Sequence, residues 1–192
     1  MGQAGMAEAA VRYLRSGKAL SVEALPRPEL RCVREDERAP VDPAGFRRVL
    51  GEFATGVTVI TAPGTPPAGF ACQSFSSLSL DPPLVAFMVG RASTTWPRIA
   101  RAGVFCVNVL SADQGALCRA FAVSGADKFV GVAHDPAPAS GSPRLAGTLA
   151  WIDCTIHAVH TGGDHLIVVG RVDALGTGEG EAPLLFHRGR FL

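Results

Sequence analysis

The chain has 192 residues, of which 47% are hydrophobic and 18% are charged, and its formal net charge is +1. This length suits one domain with a sizeable core, and a net charge near zero argues against a protein that binds nucleic acid or another polyanion. The 22 glycines and 14 prolines exceed average usage, which is typical of many short strands joined by turns.

Sorting signals and cysteine usage together favour a cytoplasmic location. The N-terminus has no basic stretch followed by an apolar core, so no secretory signal is predicted, and no apolar run approaches the ~20 residues of a membrane span. The five cysteines are scattered, with no C-x-x-C pair. They therefore favour buried thiols in a reducing compartment over disulfides or a cysteine zinc site.

We interpret residues 1–41 as a poorly ordered N-terminal extension, because they carry much of the charge and show little periodicity. The folded domain is predicted to span residues 42–192. Its first helix begins at Asp42, a good N-cap, with Pro43 at the first helical position. The spacing i, i+3, i+4 and i+7 gives this helix one apolar face, formed by Phe46, Val49, Leu50 and Phe53.

Three strands are predicted next, and the middle one is unusual. "VTVIT" (57–61) is rich in β-branched residues, which favour strands. In "GFACQSFSSLSLDPPL" (69–84), small hydroxyl and amide side chains surround a single aromatic residue before the closing prolines. "LVAFMVG" (84–90) is a continuous apolar run, so we expect a strand that is buried on both faces.

The remaining elements predict a small barrel. One helix runs from Ser93 to Gly103, "VFCVNVL" is a buried strand, and "SADQGALCRAF" is a helix with Ser111 and Gln114 at capping-box spacing. Residues 131–147 are rich in small residues and predict a loop. "LAWIDCTIHAV" and "HLIVVGRVDAL" alternate around turn-forming residues and predict a long hairpin. We therefore expect about six mostly antiparallel strands in a β-barrel, with the helices packed outside.

Two local patterns point to a planar, phosphorylated ligand. The small side chains after Ala71 let a flat ring approach the strand. An edge strand whose polar residues prevent pairing with another strand has the same composition. In "GRASTTW" (90–96), hydroxyls and free N–H groups stand at a helix start, with Arg91 or Arg98 available for charge. An ordinary serine N-cap is the alternative interpretation there. Only the two patterns together favour a ligand.

The histidines and the Gly-rich segment show which metal, nucleotide and catalytic sites the sequence argues against. His157 and His160 are three residues apart on a strand and so point to opposite faces, which argues against a shared metal ion. His165 begins a strand at the rim of the predicted barrel, where it is either a solvated side chain or a neighbour of a ligand. "GTGEGE" (176–181) precedes no helix, so no Rossmann fold is predicted, and no G-x-S-x-G elbow places a serine nucleophile.

In combination, several segments resemble the flavin reductase-like family, from about Phe46 to Phe191. They are "TGVTVIT", "GFACQSFSSLSLDPPLVAFMVGRASTTW", "FCVNVLSADQ", "DKFVGV", "GDHLIVVGRV" and "PLLFHRGRF". The resemblance implies a six-stranded antiparallel FMN-binding split barrel and a homodimer. It also implies oxidation of NADH or NADPH and reduction of FMN or FAD, with the reduced flavin passing to a partner flavin-dependent monooxygenase.

The same resemblance implies the roles of particular residues. His165 is the expected catalytic residue beside the nicotinamide, and Arg188 lies in a C-terminal motif near the cofactors. The expected wall for the isoalloxazine and ribityl chain consists of Cys72, Gln73, Ser74, Phe75, Ser76 and Ser77. The expected phosphate site consists of Arg91, Ser93, Thr94 and Thr95. No metal site is predicted.

This chain departs from the family pattern at both places. It has Ala-Cys-Gln-Ser-Phe (71–75) where similar reductases have Thr-Ala-Ser-Ser-Phe, and Thr94 stands where they have an arginine. Losing that charge-assisted hydrogen bond costs roughly 1.5–3 kcal/mol, or about ten- to a hundredfold in flavin affinity, unless Arg91 or Arg98 compensates. Weak binding suits an enzyme that treats flavin as a diffusing substrate.

Two other functions compete with a reductase. A flavin-holding electron carrier or store would have the same fold but would not oxidise NAD(P)H in steady state, and it has no use for His165. A nucleic-acid-binding barrel needs a basic face with exposed aromatic residues. The near-zero charge and the 7% aromatic content argue against it.

Overall fold

The computed structural model of the protein describes residues 41–125, 127–178 and 180–192. The predicted N-terminal extension therefore lies outside the described residues, except for Val41. The first helix, α1, spans Pro43–Leu50. Its predicted cap is confirmed, because the Asp42 carboxylate accepts the Gly45 N–H at 2.7 Å.

The apolar face of α1 is exposed, which the periodicity of the sequence did not predict. No residue of α1 is buried, and the side chains of the predicted stripe are 55–76% exposed. Phe46, Val49 and Leu50 lie on α1 and Phe53 lies beyond its end. Within the described part of the chain, all four side chains remain largely exposed.

The described residues form two further α-helices and several strands. Helix α2 spans Trp96–Ala102, and α3 spans Gly115–Ala122 after a 3₁₀ turn at Ala112–Gln114. The strands in the first half of the chain are β1 (Thr55–Gly56), β2 (Thr58–Ala62), β3 (Ala68–Cys72), β4 (Ser76–Leu80), β5 (Pro83–Gly90) and β6 (Val104–Val109). Those in the second half are β7 (His134–Pro136), β8 (Pro143–Leu145), β9 (Ala150–Gly162), β10 (His165–Thr177), β11 (Leu185–His187) and β12 (Arg190–Phe191).

Seven of these strands form the main sheet, in the order β3-β2-β6-β9-β10-β5-β4. Every neighbouring pair is antiparallel. The predicted long hairpin is confirmed as β9 and β10, which are 13 residues each. Two small sheets, β1-β11-β12 and β7-β8, flank it. The protein is therefore mainly β with a few helices, as the sequence predicts.

The principal core collects side chains from both halves of the main sheet and from α2. Phe87 of β5 is fully buried, with its ring centroid 5.1 Å from Phe105 of β6 and 6.4 Å from Trp96 of α2. Ile60 of β2 and Val168 of β10 belong to the same cluster. Strands from opposite ends of the sheet thus share one core, which requires the sheet to be strongly curved.

Four predictions about local structure were wrong. The segment 69–84 is two strands, β3 and β4, because residues 73–75 leave the ladder before pairing begins with β5. Strand β5 is buried on alternate residues only, because one of its faces looks outward. Helix α2 begins at Trp96 instead of Ser93, and the predicted loop 131–147 contains β7 and β8.

The strand count also differs from the prediction. The main sheet has seven described strands where about six were expected, since the segment 69–84 contributes two. Its hydrogen-bonded ladder ends at β3 on one side and β4 on the other. Within the described residues, no helix has the length and apolarity that crossing a membrane would require.

Candidate functional site

One cavity of about 640 Å³ collects many of the predicted residues, and we call it the main cavity. Its walls come from distant parts of the chain: the end of β3, the end of β5, the α3 region and the C-terminal hairpin. Residues 70–74, 88–90 and 92–95 line it, as does His165. Its volume lies within the usual range of small-molecule sites.

Ser74 links the two walls of the main cavity. Its hydroxyl donates to the Met88 carbonyl at 3.0 Å and accepts the Met88 N–H at 2.9 Å. Cys72 lies beneath this bridge, with its sulfur 3.3 Å from Ser74 Oγ. Burial raises the pKa of the Cys72 thiol, so it remains neutral. Gln73, between them, is an exposed residue lining the cavity.

The other three residues of the predicted wall do not line the main cavity. Phe75 packs against the principal core. Ser76 and Ser77 are exposed on β4, and the Ser76 hydroxyl donates to the Ser77 carbonyl. The wall is therefore shorter than predicted, because the chain turns away after Ser74. A contact of Phe75, Ser76 or Ser77 with a ligand stays a prediction.

The hydroxyls after β5 line the main cavity, but their neighbouring arginine does not. Ser93, Thr94 and Thr95 all line it. The Ser93 hydroxyl accepts the Trp96 N–H at 3.2 Å in the turn before α2, whose N-cap is Thr95. Arg91 is exposed, and neither Arg91 nor Arg98 lines the main cavity, so the structure does not support compensation by either arginine there.

His165 lies in the main cavity and is oriented by its neighbour. Its backbone pairs with Gly90 of β5 and Gly162 of β9. Its Nδ1 lies 2.7 Å from Asp164 Oδ1, and this hydrogen bond lowers the pKa of the Asp164 carboxyl. A carboxylate on Nδ1 fixes the ring orientation and leaves Nε2 for other contacts.

Arg188 is held outside the main cavity. Its guanidinium binds the Glu52 carboxylate, with Nε to Oε2 at 2.8 Å, and this ion pair raises the pKa of Arg188. The backbone N–H of Arg188 donates to the Gly51 carbonyl. Arg188 therefore joins the C-terminal hairpin to the segment after α1, and its contact with a cofactor stays a prediction.

Several lining residues were missed by the sequence analysis. They include Phe70, Cys118, Phe121, Lys128, Phe186 and Phe191. Lys128 is the cation among them, and its Nζ donates to the carbonyls of Gly69 at 3.1 Å and Phe121 at 2.9 Å. The segment "DKFVGV", which carried part of the resemblance, contains Lys128 and was the available signal.

The residues present fit a flavin. The main cavity offers apolar rings, a wall of small side chains at Cys72 and Ser74, and hydroxyls at Thr94 and Thr95 beside a lysine. An isoalloxazine ring needs a flat wall and hydrogen-bonding groups, and its ribityl phosphate needs hydroxyl donors and a cation. Both halves of that requirement are met within one cavity.

Comparison with known proteins agrees with this geometry. The family model "Flavin reductase like domain" matches residues 50–192. The chain therefore belongs to the flavin reductase-like family, and the resemblance stated above is confirmed.

Individual relatives are similar over most of this chain. The reductase subunit HsaB of a flavin-dependent monooxygenase from Rhodococcus jostii is 50% identical over 152 residues, 79% of this chain and 77% of that protein. A flavin reductase from Pseudomonas putida is 48% identical over 156 residues, 80% and 91% of the two chains. The structure of the NADH:FAD oxidoreductase SgcE6 from Streptomyces globisporus with NAD and FAD fragments has a TM-score of 0.75 at 39% identity, covering 81% of this chain and 96% of that one.

Proposed function

We propose that this protein is an NAD(P)H:flavin oxidoreductase that transfers hydride from a nicotinamide to FMN or FAD. The observation that carries the proposal is that His165, the Cys72–Ser74 wall and the hydroxyls of 93–95 line one cavity. Relatives named as an NADH-dependent FAD reductase, 40% identical, and an NADH-dependent FMN reductase, 42% identical, support it.

In this mechanism the protein binds and orients the reactants. The bound flavin supplies a hydride acceptor at its N5 position. The wall at Cys72 and Ser74 presents one face of the cavity to the ring, and the neutral thiol keeps negative charge away from it. Thr94 and Thr95, with Lys128, hold the phosphate end. Bringing two reactants together in the correct orientation is itself a large part of catalysis.

His165 positions the nicotinamide. Asp164 holds the imidazole through Nδ1, so Nε2 is left to contact a carboxamide or phosphate group of the dinucleotide. The chemical step is a hydride transfer and needs no proton added to or removed from carbon. We therefore assign His165 to orientation of the nicotinamide. Contacts of Arg91 and Arg188 with a cofactor remain predictions.

We extend the proposal to the partner protein, the fold, the oligomeric state and the location. Relatives are named as reductase subunits of flavin-dependent monooxygenases, so we propose that reduced flavin from this protein supplies such an oxygenase. We also propose an FMN-binding split barrel, which the Ser74 bridge between β3 and β5 supports, and a homodimer, for which the exposed apolar face of α1 offers a surface. The scattered cysteines favour a cytoplasmic location.

Anaerobic reduction tests the central claim. The purified protein is mixed with FMN or FAD, and the visible absorption of the flavin is followed after NADH or NADPH is added. We expect rapid bleaching with at least one donor, far faster than with donor and flavin alone. Flavin that binds but is not bleached would identify a carrier or store instead. A protein that neither binds nor reduces flavin would contradict both.

A further inference from the structure

The main cavity does not end at the hydroxyls of residues 93–95. A second cavity of about 160 Å³ shares Thr94, Thr95 and Lys128 with it. A third cavity, of about 420 Å³, shares Pro66, Pro67, Asp127 and Phe129 with the second. Each cavity therefore adjoins the next through shared lining residues, in a row that begins at the proposed phosphate end of the main cavity.

The second cavity has the charge and the size for phosphate groups. Its volume is about five times that of one water molecule in the liquid. Lys128 and Arg98 line it opposite a single acid, Asp127, and within the described part of the chain neither cation has a carboxylate oxygen within 4 Å. Arg98 is held in place because its guanidinium donates to the carbonyls of Pro66 and Pro67.

Lys128 is pre-positioned at the junction of the first two cavities. Two of its three Nζ–H donors are used by the Gly69 and Phe121 carbonyls, which leaves one for a ligand. Burial lowers the pKa of Lys128, an effect that an anionic neighbour would offset. The cation that the family pattern places at Thr94 is therefore available here from a different part of the chain.

The third cavity has the walls that a heteroaromatic base needs. Phe129 and His134 line it, with ring centroids 5.6 Å apart and nearly perpendicular planes. Pro66 and Pro67 supply further flat apolar surface, and the exposed Val130 stands at its edge. A cavity of this composition suits a planar base that stacks on an aromatic ring, with polar atoms at its rim.

We propose that this row of cavities binds an adenosine diphosphate moiety, and that it belongs to FAD. The diphosphate would lie between Lys128 and Arg98, and the adenine would lie in the third cavity against Phe129. FMN ends at its single phosphate, beside Thr94 and Thr95, and cannot reach the third cavity. The inference rests on the proposed function and makes it specific, because it selects FAD over FMN.

Binding titrations without turnover test the selection. The Kd values of oxidised FAD, FMN and riboflavin are measured by the change in flavin fluorescence. We expect the wild-type protein to bind FAD at least about tenfold more tightly than FMN, a difference of about 1.4 kcal/mol. AMP, which corresponds to the part of FAD that FMN lacks, is expected to compete with FAD and to leave FMN binding unchanged. Equal Kd values for FAD and FMN would overturn the proposal.

Two variants locate the effect. Arg98→Gln removes a cation from the second cavity, and Val130→Glu adds a negative charge at the edge of the third. Each is expected to weaken FAD binding about five- to tenfold and to leave FMN binding unchanged, because neither residue lines the main cavity. Arg101→Gln is the matched control: it removes an arginine from the same helix, but Arg101 lines none of the three cavities. Equal losses for FAD and FMN in either variant would contradict the assignment.

NAD(P)H also carries an adenosine diphosphate moiety, so it is the alternative ligand for the row of cavities. Steady-state kinetics distinguish it from FAD. With FMN as acceptor, Arg98→Gln and Val130→Glu are expected to leave the KM for NADH and NADPH unchanged. A raised KM together with an unaltered ratio of FAD to FMN affinity would assign the row to the dinucleotide and overturn the inference. Reduction of FMN by the wild-type protein is independent of this outcome, so the two proposals fail separately.

Discussion

The hydroxyl of Ser74 forms both a donor and an acceptor hydrogen bond with the backbone of Met88, at 3.0 and 2.9 Å. Ser74 follows β3, at one end of the main sheet, and Met88 lies in β5 near the other end. This single side chain therefore connects two strands that are separated by four others in the ladder. It also fixes the wall against which we place the flavin ring.

We predict that Ser74→Ala weakens both the fold and the site. The Met88 N–H and carbonyl lose their partner, and one neutral hydrogen bond contributes roughly 0.5–1.5 kcal/mol, so we expect unfolding free energy to fall by about 1–2 kcal/mol. Flavin Kd should rise several-fold. Urea unfolding and flavin titration measure the two effects. Ser79→Ala is the control, because Ser79 lies on β4 outside the main cavity and is not a predicted flavin contact. An equal effect of both variants would rule out the bridge as the cause.

A second prediction concerns the nicotinamide. If His165 orients the dinucleotide, His165→Asn should raise the KM for NAD(P)H about tenfold, equivalent to about 1.4 kcal/mol of lost binding. The Kd for oxidised flavin should change far less. Asp164→Asn is expected to have a smaller effect in the same direction, since it removes the carboxylate that holds Nδ1. These values come from steady-state kinetics at saturating flavin.

The matched control for this prediction is His160→Asn. His160 is exposed on β9 and lies outside the main cavity. It should leave KM and kcat unchanged. A His165→Asn enzyme with unaltered KM and a large loss of kcat would instead indicate a direct role in the chemical step, contrary to our assignment.

Local signals in the sequence predicted the elements that depend on neighbouring residues. The Asp42 cap requires only the N–H of Gly45, three residues away. The β9–β10 hairpin requires alternating strands and a two-residue turn in which Gly163 adopts a positive φ of 68°. In both cases the partners are close in the chain, so composition and spacing were sufficient.

Features that depend on distant contacts were not predictable in this way. The break between β3 and β4 occurs where Ser74 meets Met88, 14 residues away. Lys128 enters the site because its Nζ binds the carbonyl of Gly69, which is 59 residues earlier. A strand pattern does not record which carbonyl a lysine will reach, so only family resemblance pointed to that segment.

A substitution at Gly170 tests how closely the main sheet packs around the principal core. A Cβ added there would lie 2.3 Å from Phe105 Cζ and 3.2 Å from Cys154 Cβ, and Phe105 is fully buried against Phe87. We predict that Gly170→Ala destabilises the protein by about 1–3 kcal/mol, the typical cost of overpacking a core. Thermal or urea unfolding measures it. Gly56→Ala, where an added Cβ meets nothing within 4 Å, should change stability by much less.

The buried cysteines predict how stability responds to alkaline pH. Burial, with a smaller contribution from the nearby Asp153 carboxylate, raises the pKa of the Cys106 thiol from 9.0 to about 12. Between these values the folded state keeps a proton that the unfolded state loses, so the free energy of unfolding should fall as pH rises above about 9. The slope is about 1.4 kcal/mol per pH unit for each such thiol.

Urea unfolding at pH 8, 9 and 10 measures this slope. Cys106→Ala leaves a small cavity and lowers stability at every pH, but it should make the decline above pH 9 shallower by the contribution of one thiol. At pH 8 the native thiol should also resist iodoacetamide, because the thiolate is the reactive form, whereas protein unfolded in urea should be alkylated rapidly. Fast alkylation of native Cys106 at pH 8, or an unchanged slope in the variant, would show that this thiol is not held protonated by the core.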